Sequence, residues 1–175
     1  MGKALLLTGH PGIGKTTILR QAADQLGDRV GGFYTQEIVG PGGRKGFELI
    51  TLDGKKTVMA HKDLRGPDVP QVGRYGVDVP ALERVGVAAL KRAMERGQVL
   101  LVDEIGFMEI YSRLFCDTVM LAIMTRTPVI GSIMAKSHPE ADVFKVLAQT
   151  TLWEVDKRNR DELPDKVVAW VGQLK

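Results

Sequence analysis

Two apolar rhythms divide this chain. Short unbroken apolar runs occur at Lys3-Ala-Leu-Leu-Leu-Thr8, Gln98-Val-Leu-Leu-Val-Asp103 and Pro128-Val-Ile-Gly-Ser-Ile-Met134. Each is too short for a helix and is bounded by polar or turn-forming residues, so each reads as a strand buried on both faces. Thr151-Leu-Trp-Glu-Val155 reads as one more. Between these runs the spacing becomes helical. Ile18, Leu19, Ala22, Ala23 and Leu26 share one face, as do Leu82, Val85, Ala89 and Ala93, and then Phe115, Val119, Ala122 and Ile123. Val143, Phe144 and Leu147 predict a short helix, and Val167, Val168, Trp170 and Val171 a last one over about residues 160–174. The boundaries carry matching signals. Gly27 and Gly97 can end helices. Asp78, Ser112 and the Ser137-His138-Pro139 segment can start them.

Residues 30–61 follow a different pattern. Val30–Val39, Gly46–Leu52 and Lys56–His61 are extended and rich in β-formers, joined by Gly40-Pro41-Gly42-Gly43 and by Asp53-Gly54, a strong hairpin signal. They predict an antiparallel meander at about 31–61, an insertion in or edge extension of the main sheet. Residues 62–77 read as a loop. Strands alternating with helices elsewhere imply a mainly parallel sheet covered on both faces. No internal repeat or domain linker is visible, so residues 1–175 read as one α/β domain of three layers.

Candidate chemistry sits after the first apolar run. Gly9-His10-Pro11-Gly12-Ile13-Gly14-Lys15-Thr16 reads G-x-x-x-x-G-K-[ST], the Walker A pattern, between a strand and a helix. Glycines let backbone N–H groups turn inward, and the helix N-terminus adds partial positive charge. Residues Gly9 to Thr17 are therefore assigned to nucleotide binding. Lys15 would reach the β- and γ-phosphates, and the Thr16 hydroxyl would hold Mg²⁺.

Val99-Leu100-Leu101-Val102-Asp103 reads as a Walker B strand that carries Asp103 to the sheet edge as the second Mg²⁺ residue. Glu104 adjoins it. A carboxylate there can polarise a water aimed at the γ-phosphate. Ile105 and Gly106 complete this segment of the nucleotide site. P-loop proteins with such a Glu place one strand between the P-loop strand and the Walker B strand; here that strand would be 128–134. Its end, Ser132 or Lys136, could sense the γ-phosphate, although plain strand-end polarity explains both. Acceptor-site and lid-arginine patterns of small-molecule kinases are not recognisable.

Composition narrows this only slightly. Apolar residues make up 44% and charged residues 26%, with a net charge of +3 and pI near 9.0. That suits a polyphosphate ligand without requiring nucleic acid. Lys157-Arg158-Asn159-Arg160 is the one dense basic spot. The single cysteine, Cys116, lies in an apolar helical stretch and fits a reducing compartment. Without a signal-like start or a run of ~18 apolar residues, the expectation is a cytoplasmic monomer with no membrane contact.

Six segments in order carry a family resemblance: Leu6–Thr17, Gly32-Phe-Tyr-Thr-Gln-Glu37, Gly43-Arg-Lys-Gly-Phe47, Tyr75-Gly-Val77, Val102-Asp-Glu-Ile-Gly-Phe-Met-Glu109 and Asn159-Arg-Asp-Glu-Leu-Pro164. Together they resemble the small nucleoside-triphosphatases called cancer-related nucleoside-triphosphatase, known also from thermophiles. The resemblance implies Mg²⁺-dependent hydrolysis of ATP, GTP, CTP, UTP and TTP, with weak base selectivity, on a fold related to AAA+ and RecA-like ATPases. By matching position, residues 9–16 bind phosphates and residues 99–106 supply Asp103 and Glu104. Arg44 lies in the family's Gly-x-Arg-x-Gly-Phe pattern, where it is either a cis arginine finger or a turn residue. Asn159 and Arg160 fall where base and ribose lie in P-loop folds; helix capping is the plainer role for Asn159. Phe107 departs from the pattern, since the family often has Lys there. The rival readings are a P-loop phosphotransferase acting on a nucleoside, nucleotide or RNA end, and a nucleotide-dependent switch that binds RNA or protein.

Overall fold

The computed structural model describes residues 3–174. Met1, Gly2 and Lys175, at the ends of the expected 1–175 domain, lie outside the described residues. The strands are β1 (Ala4–Thr8), β2 (Val30–Gly40), β3 (Gly43–Thr51), β4 (Lys56–His61), β5 (Gln71–Val72), β6 (Tyr75–Val77), β7 (Val99–Ile105), β8 (Val129–Ile133) and β9 (Thr150–Glu154). The helices are α1 (Lys15–Leu26), α2 (Val79–Ala81), α3 (Ala88–Glu95), α4 (Arg113–Met124), α5 (Pro139–Val146) and α6 (Leu163–Gly172).

Among the described residues, nine strands form one sheet in the order β5-β6-β4-β3-β2-β7-β8-β1-β9. The pairs β2–β7, β7–β8, β8–β1 and β1–β9 are parallel. Thus β8 separates the P-loop strand from the Walker B strand, as the adjoining Glu led us to expect. The meander extends this sheet. Val30–Phe33 of β2 pair in parallel with Val99–Val102 of β7, and β2 from Phe33 onward pairs antiparallel with β3. One strand therefore belongs to both regimes.

Side-chain alternation along β7 explains the two cores. Leu100 and Val102 enter a cluster with Phe33, Leu82, Leu90 and Phe115, whereas Val99 and Leu101 enter another with Leu7, Leu19, Ile130 and Val167. Burying each such side chain contributes about 1.5–3 kcal/mol. A strand covered on both faces has no place for polar residues until its end, which is where Asp103 appears.

Local signals act as the chain requires. The Asp78 carboxylate accepts from the Ala81 N–H at 2.8 Å, and Ser112 Oγ accepts from the Phe115 N–H at 3.0 Å. Such caps are worth about 1 kcal/mol each. Two expectations need correction. Residues 62–77 are not all loop, because β5 and β6 form a small hairpin on β4. The helix after Asp78 is not uniformly α-helical either: Leu82–Val87 is π-helical. That wider turn rotates the apolar face, so Val87 is buried and Val85 only half-buried. On α5, Phe144 is buried but Val143 faces outward.

Candidate active site

β1 delivers the chain to the sheet edge, and Gly9–Gly14 turns it into α1. Gly12 and Gly14 have φ of +80° and +117°, conformations that L side chains rarely adopt. Gly14 is the N-cap of α1 and supplies no side-chain cap. The first N–H groups of the helix are thus left for an anion rather than for the protein's own side chain. Lys15 is only 9% exposed. Its Nζ donates to Gly9 O at 2.9 Å and to His10 O at 3.5 Å, so the ammonium is held inside the loop.

Asp103 is buried at the same edge. Its Oδ2 accepts from Thr16 Oγ1 at 2.7 Å, and its Oδ1 accepts from Ser132 Oγ. Burial pushes its carboxyl above the usual carboxylate range, while Ser132, Thr16, the Thr35 N–H and Lys15 pull it back down. Ser132 therefore orients Asp103 from the neighbouring strand. Glu104 follows, half-buried. Burial and the Asp103 charge raise its carboxyl, and Lys15 opposes them. The peptide between these two acids is cis.

The third wall comes from β2, which sequence reasoning did not assign to the site. Gly32 passes so close to β7 that a Cβ there would lie 2.2 Å from Leu101 O. This close approach carries the Thr35 N–H to the Asp103 carboxylate. Thr35, Gln36, Glu37, Arg44 and Phe47 then line one cleft of about 500 Å³ with Lys15, Thr16, Asp103 and Glu104. A signal was available in Gly-Phe-Tyr-Thr-Gln-Glu, where Thr35 and Glu37 alternate onto one face at a strand's end. Arg44 reaches this cleft, paired with Glu37 at 2.5 Å and lying over the Phe47 ring.

Other expected residues fall elsewhere. Val99, Leu100, Leu101, Val102 and Ile105 are buried; they carry the acids to the edge and do not line the cleft. Arg160 Nη1 reaches Ile13 O at 3.5 Å and lines a second recess of about 550 Å³ beside Gly12, Gly14 and Thr17. Asn159 is tied into its own loop: Oδ1 accepts from the Asp156 N–H, and Nδ2 donates to Glu154 O at 2.8 Å. It does not cap α6, whose N-cap is Glu162. Lys136 lies over the Phe107 ring, away from the residues lining the cleft. Cys116 is buried, and burial pushes its thiol up to about 11. Among the described residues, no helix is long and apolar enough to cross a membrane.

A sheet running β7-β8-β1, with a glycine-rich loop and a buried acid at one edge, defines the P-loop NTPase class of α/β fold. Comparison with known proteins then fixes the family. The chain belongs to the NTPase family, whose model matches residues 4–168. It is 36% identical over 165 residues to the nucleoside-triphosphatase THEP1 of Thermotoga sp. (strain RQ2), covering 94% of this chain and 93% of that protein. The crystal structure of THEP1 from Aquifex aeolicus matches with a TM-score of 0.88 at 32% identity, covering 97% of this chain and 99% of that one. The solution structure of a human cancer-related nucleoside triphosphatase matches with a TM-score of 0.84 at 31% identity, covering 99% and 100%.

Proposed function

We propose that this chain hydrolyses nucleoside triphosphates to diphosphate and inorganic phosphate. The observation that carries this reading is Glu104. Its half-buried carboxylate shares one cleft with Lys15, Thr16 and Asp103. A water beside Glu104 attacks the γ-phosphorus; its oxygen forms the new P–O bond as the bond to the β-phosphate oxygen breaks. Glu104 orients that water and takes its proton. Lys15, already held in the loop, neutralises charge spreading over the γ-phosphate and the leaving oxygen. Positioning accounts for most of the work, since the transition state is loose.

Mg²⁺ fits the donor set. Thr16 and Asp103 present a hydroxyl and a carboxylate in contact, both hard oxygen donors. Among the described residues, no group of three or more His, Cys, Asp or Glu could enclose an ion. Such a sparse site suits Mg²⁺, which keeps waters and takes further oxygens from phosphates. When bound, the ion would neutralise charge on the β- and γ-phosphate oxygens. Thr16 and Asp103 would hold it, with Ser132 and the Thr35 N–H fixing the Asp103 carboxylate.

Base selectivity is weak on this reading. Arg160 lines the outer recess beside Gln21 and Asp161, and its guanidinium can stack on any base. The substrates are therefore ATP, GTP, CTP, UTP and TTP alike. Arg44 acts as a cis arginine finger, leaving Glu37 for the γ-phosphate. The protein works as a monomer in a reducing, cytoplasmic setting, where its single thiol stays inert. The test is phosphate release with no acceptor present. Glu104→Gln is expected to keep Mg·ATP binding and to lose about 10³-fold in kcat. Full turnover in that variant, or release that requires an added nucleoside or RNA end, overturns the reading.

A further inference from the structure

Three aromatic side chains lie outside both cores and outside the cleft. Phe107 is 37% and Tyr111 51% exposed, and His138 is half-buried. With Val72, Ile110 and Glu140 they wall a recess of about 350 Å³, within the range of about 300–1,000 Å³ usual for small-molecule sites. It lies where the β5–β6 hairpin meets the segments that follow β7 and β8, and it shares no lining residue with the cleft or with the Arg160 recess. Phe107 and His138 stand edge to face, with ring centres 6.0 Å apart and planes at 88°, so they form a corner for a flat ring. Lys136 Nζ lies over the Phe107 ring at 5.8 Å and makes no ion pair among the described residues. An exposed contact of that kind is weak, and a stacking ligand can displace it.

The polar groups of the recess decide what can enter it. Gln71, also in its wall, accepts from Arg65 and donates to Val69 O at 3.3 Å, so it braces the hairpin. The Tyr111 hydroxyl can both donate and accept and selects nothing. His138 Nδ1 accepts from the Glu140 N–H at 3.2 Å, which puts the ring proton on Nε2 and makes that nitrogen a donor. The Glu140 carboxylate, exposed and without an ion pair among the described residues, only accepts. One acceptor beside one donor, at an aromatic corner, matches the edge of adenine or cytosine, where an exocyclic amine adjoins an unprotonated ring nitrogen. We propose that this recess is a second ligand site, which takes such an amino nucleobase apart from the triphosphate in the cleft. Phe107 and Tyr111 stack on the base, and Glu140 and His138 read its edge. Uracil and thymine present a carbonyl oxygen in place of the amine, and the Glu140 carboxylate repels it. The base can come from a free nucleoside or from an RNA strand, since the recognition chemistry is the same.

Titration calorimetry on the whole protein tests this, with the cleft filled by Mg·UDP, whose base lacks the amine. Adenosine, cytidine and uridine are titrated in turn. The expected result is saturable binding of adenosine and cytidine with a Kd of about 1 mM or tighter, and uridine weaker by about tenfold or more. Two variants locate the site whatever fills the cleft, and both side chains are exposed enough to change without disturbing the fold. Phe107→Ala should weaken adenosine by about tenfold. Glu140→Gln, which can donate as well as accept, should bring adenosine and uridine to within about threefold of each other. No saturable binding of adenosine or cytidine overturns the proposal. So does binding that Phe107→Ala leaves unchanged, or uridine bound as tightly as cytidine. A short oligoadenylate bound more than about tenfold tighter than adenosine supports the site and assigns its base to an RNA strand; equal affinity supports it with a free nucleoside as the occupant.

Discussion

The two halves of the sheet do different work with different physics. In the parallel half, β7, β8 and β1 bring Asp103, Ser132, Thr16 and Lys15 together through short contacts among buried groups. Each group is placed by a strand or helix whose own side chains fill a core, so this end of the cleft is preorganised. In the antiparallel half, Arg44 and Glu37 meet at the rim with side chains 43% and 50% exposed. An ion pair that open is worth about 0–1 kcal/mol and is readily given up. On the proposed reading the phosphate-holding groups are fixed in place, and the rim groups proposed to close over the γ-phosphate can move at little cost.

The largest test of this division falls on the parallel half. Lys15→Ala should lower kcat/KM by about 10³–10⁴-fold. Losing a preorganised charge aimed at the transition state costs about 10²–10³ in kcat, and the lost charge-assisted hydrogen bond to the ground state adds roughly tenfold in affinity. Stopped-flow nucleotide binding together with steady-state turnover would separate the two parts. Unchanged kinetics would remove the loop from the chemistry altogether.

A smaller effect is expected from the antiparallel half, and it has the opposite character. Arg44→Ala should leave the melting temperature almost unmoved, since the pair is exposed. It should lower kcat by about 10²-fold if the guanidinium reaches the transition state as proposed. Glu37→Gln removes the resting partner and should leave kcat unchanged or raised. Equal stability losses in both variants with no rate effect would make the pair structural and erase the contrast between the halves.

The contrast also marks what could be read in advance. The loop, Asp103 and Glu104 are legible because their chemistry is carried by consecutive residues flanked by unambiguous apolar runs. The place of β8 follows from Glu104. The alternation of Thr35 and Glu37 hinted at β2, but its contact with Asp103 was hidden for a physical reason. What it gives Asp103 is a backbone N–H from Thr35, and a backbone donor has no side-chain signature. The β5–β6 hairpin is too short for periodicity to register. The π-helical turn at Leu82–Val87 keeps an apolar face but shifts it, so a 3.6-residue rhythm names Val85 where the fold buries Val87. Asn159 is legible as polar and loop-bound, but its bonds to Glu154 and Asp156 depend on how the loop closes after β9, which residue type alone does not reveal.

The gentlest test sharpens the boundary between the halves, at the turn behind Glu104. Burial pushes the Glu109 carboxyl well above the ordinary carboxylate range. Where the folded acid still holds its proton and the unfolded one has lost it, the folded protein binds more protons than the unfolded chain, so stability falls as pH rises. Glu109→Gln removes that site. Nucleotide-free wild type and variant should therefore diverge as pH rises above the ordinary carboxylate range, with the Gln variant gaining in relative stability. For a chain this size roughly 2–4 °C accompanies each kcal/mol, so the divergence is readable by scanning calorimetry. A constant offset between the two curves would mean that Glu109 is ionised in the fold.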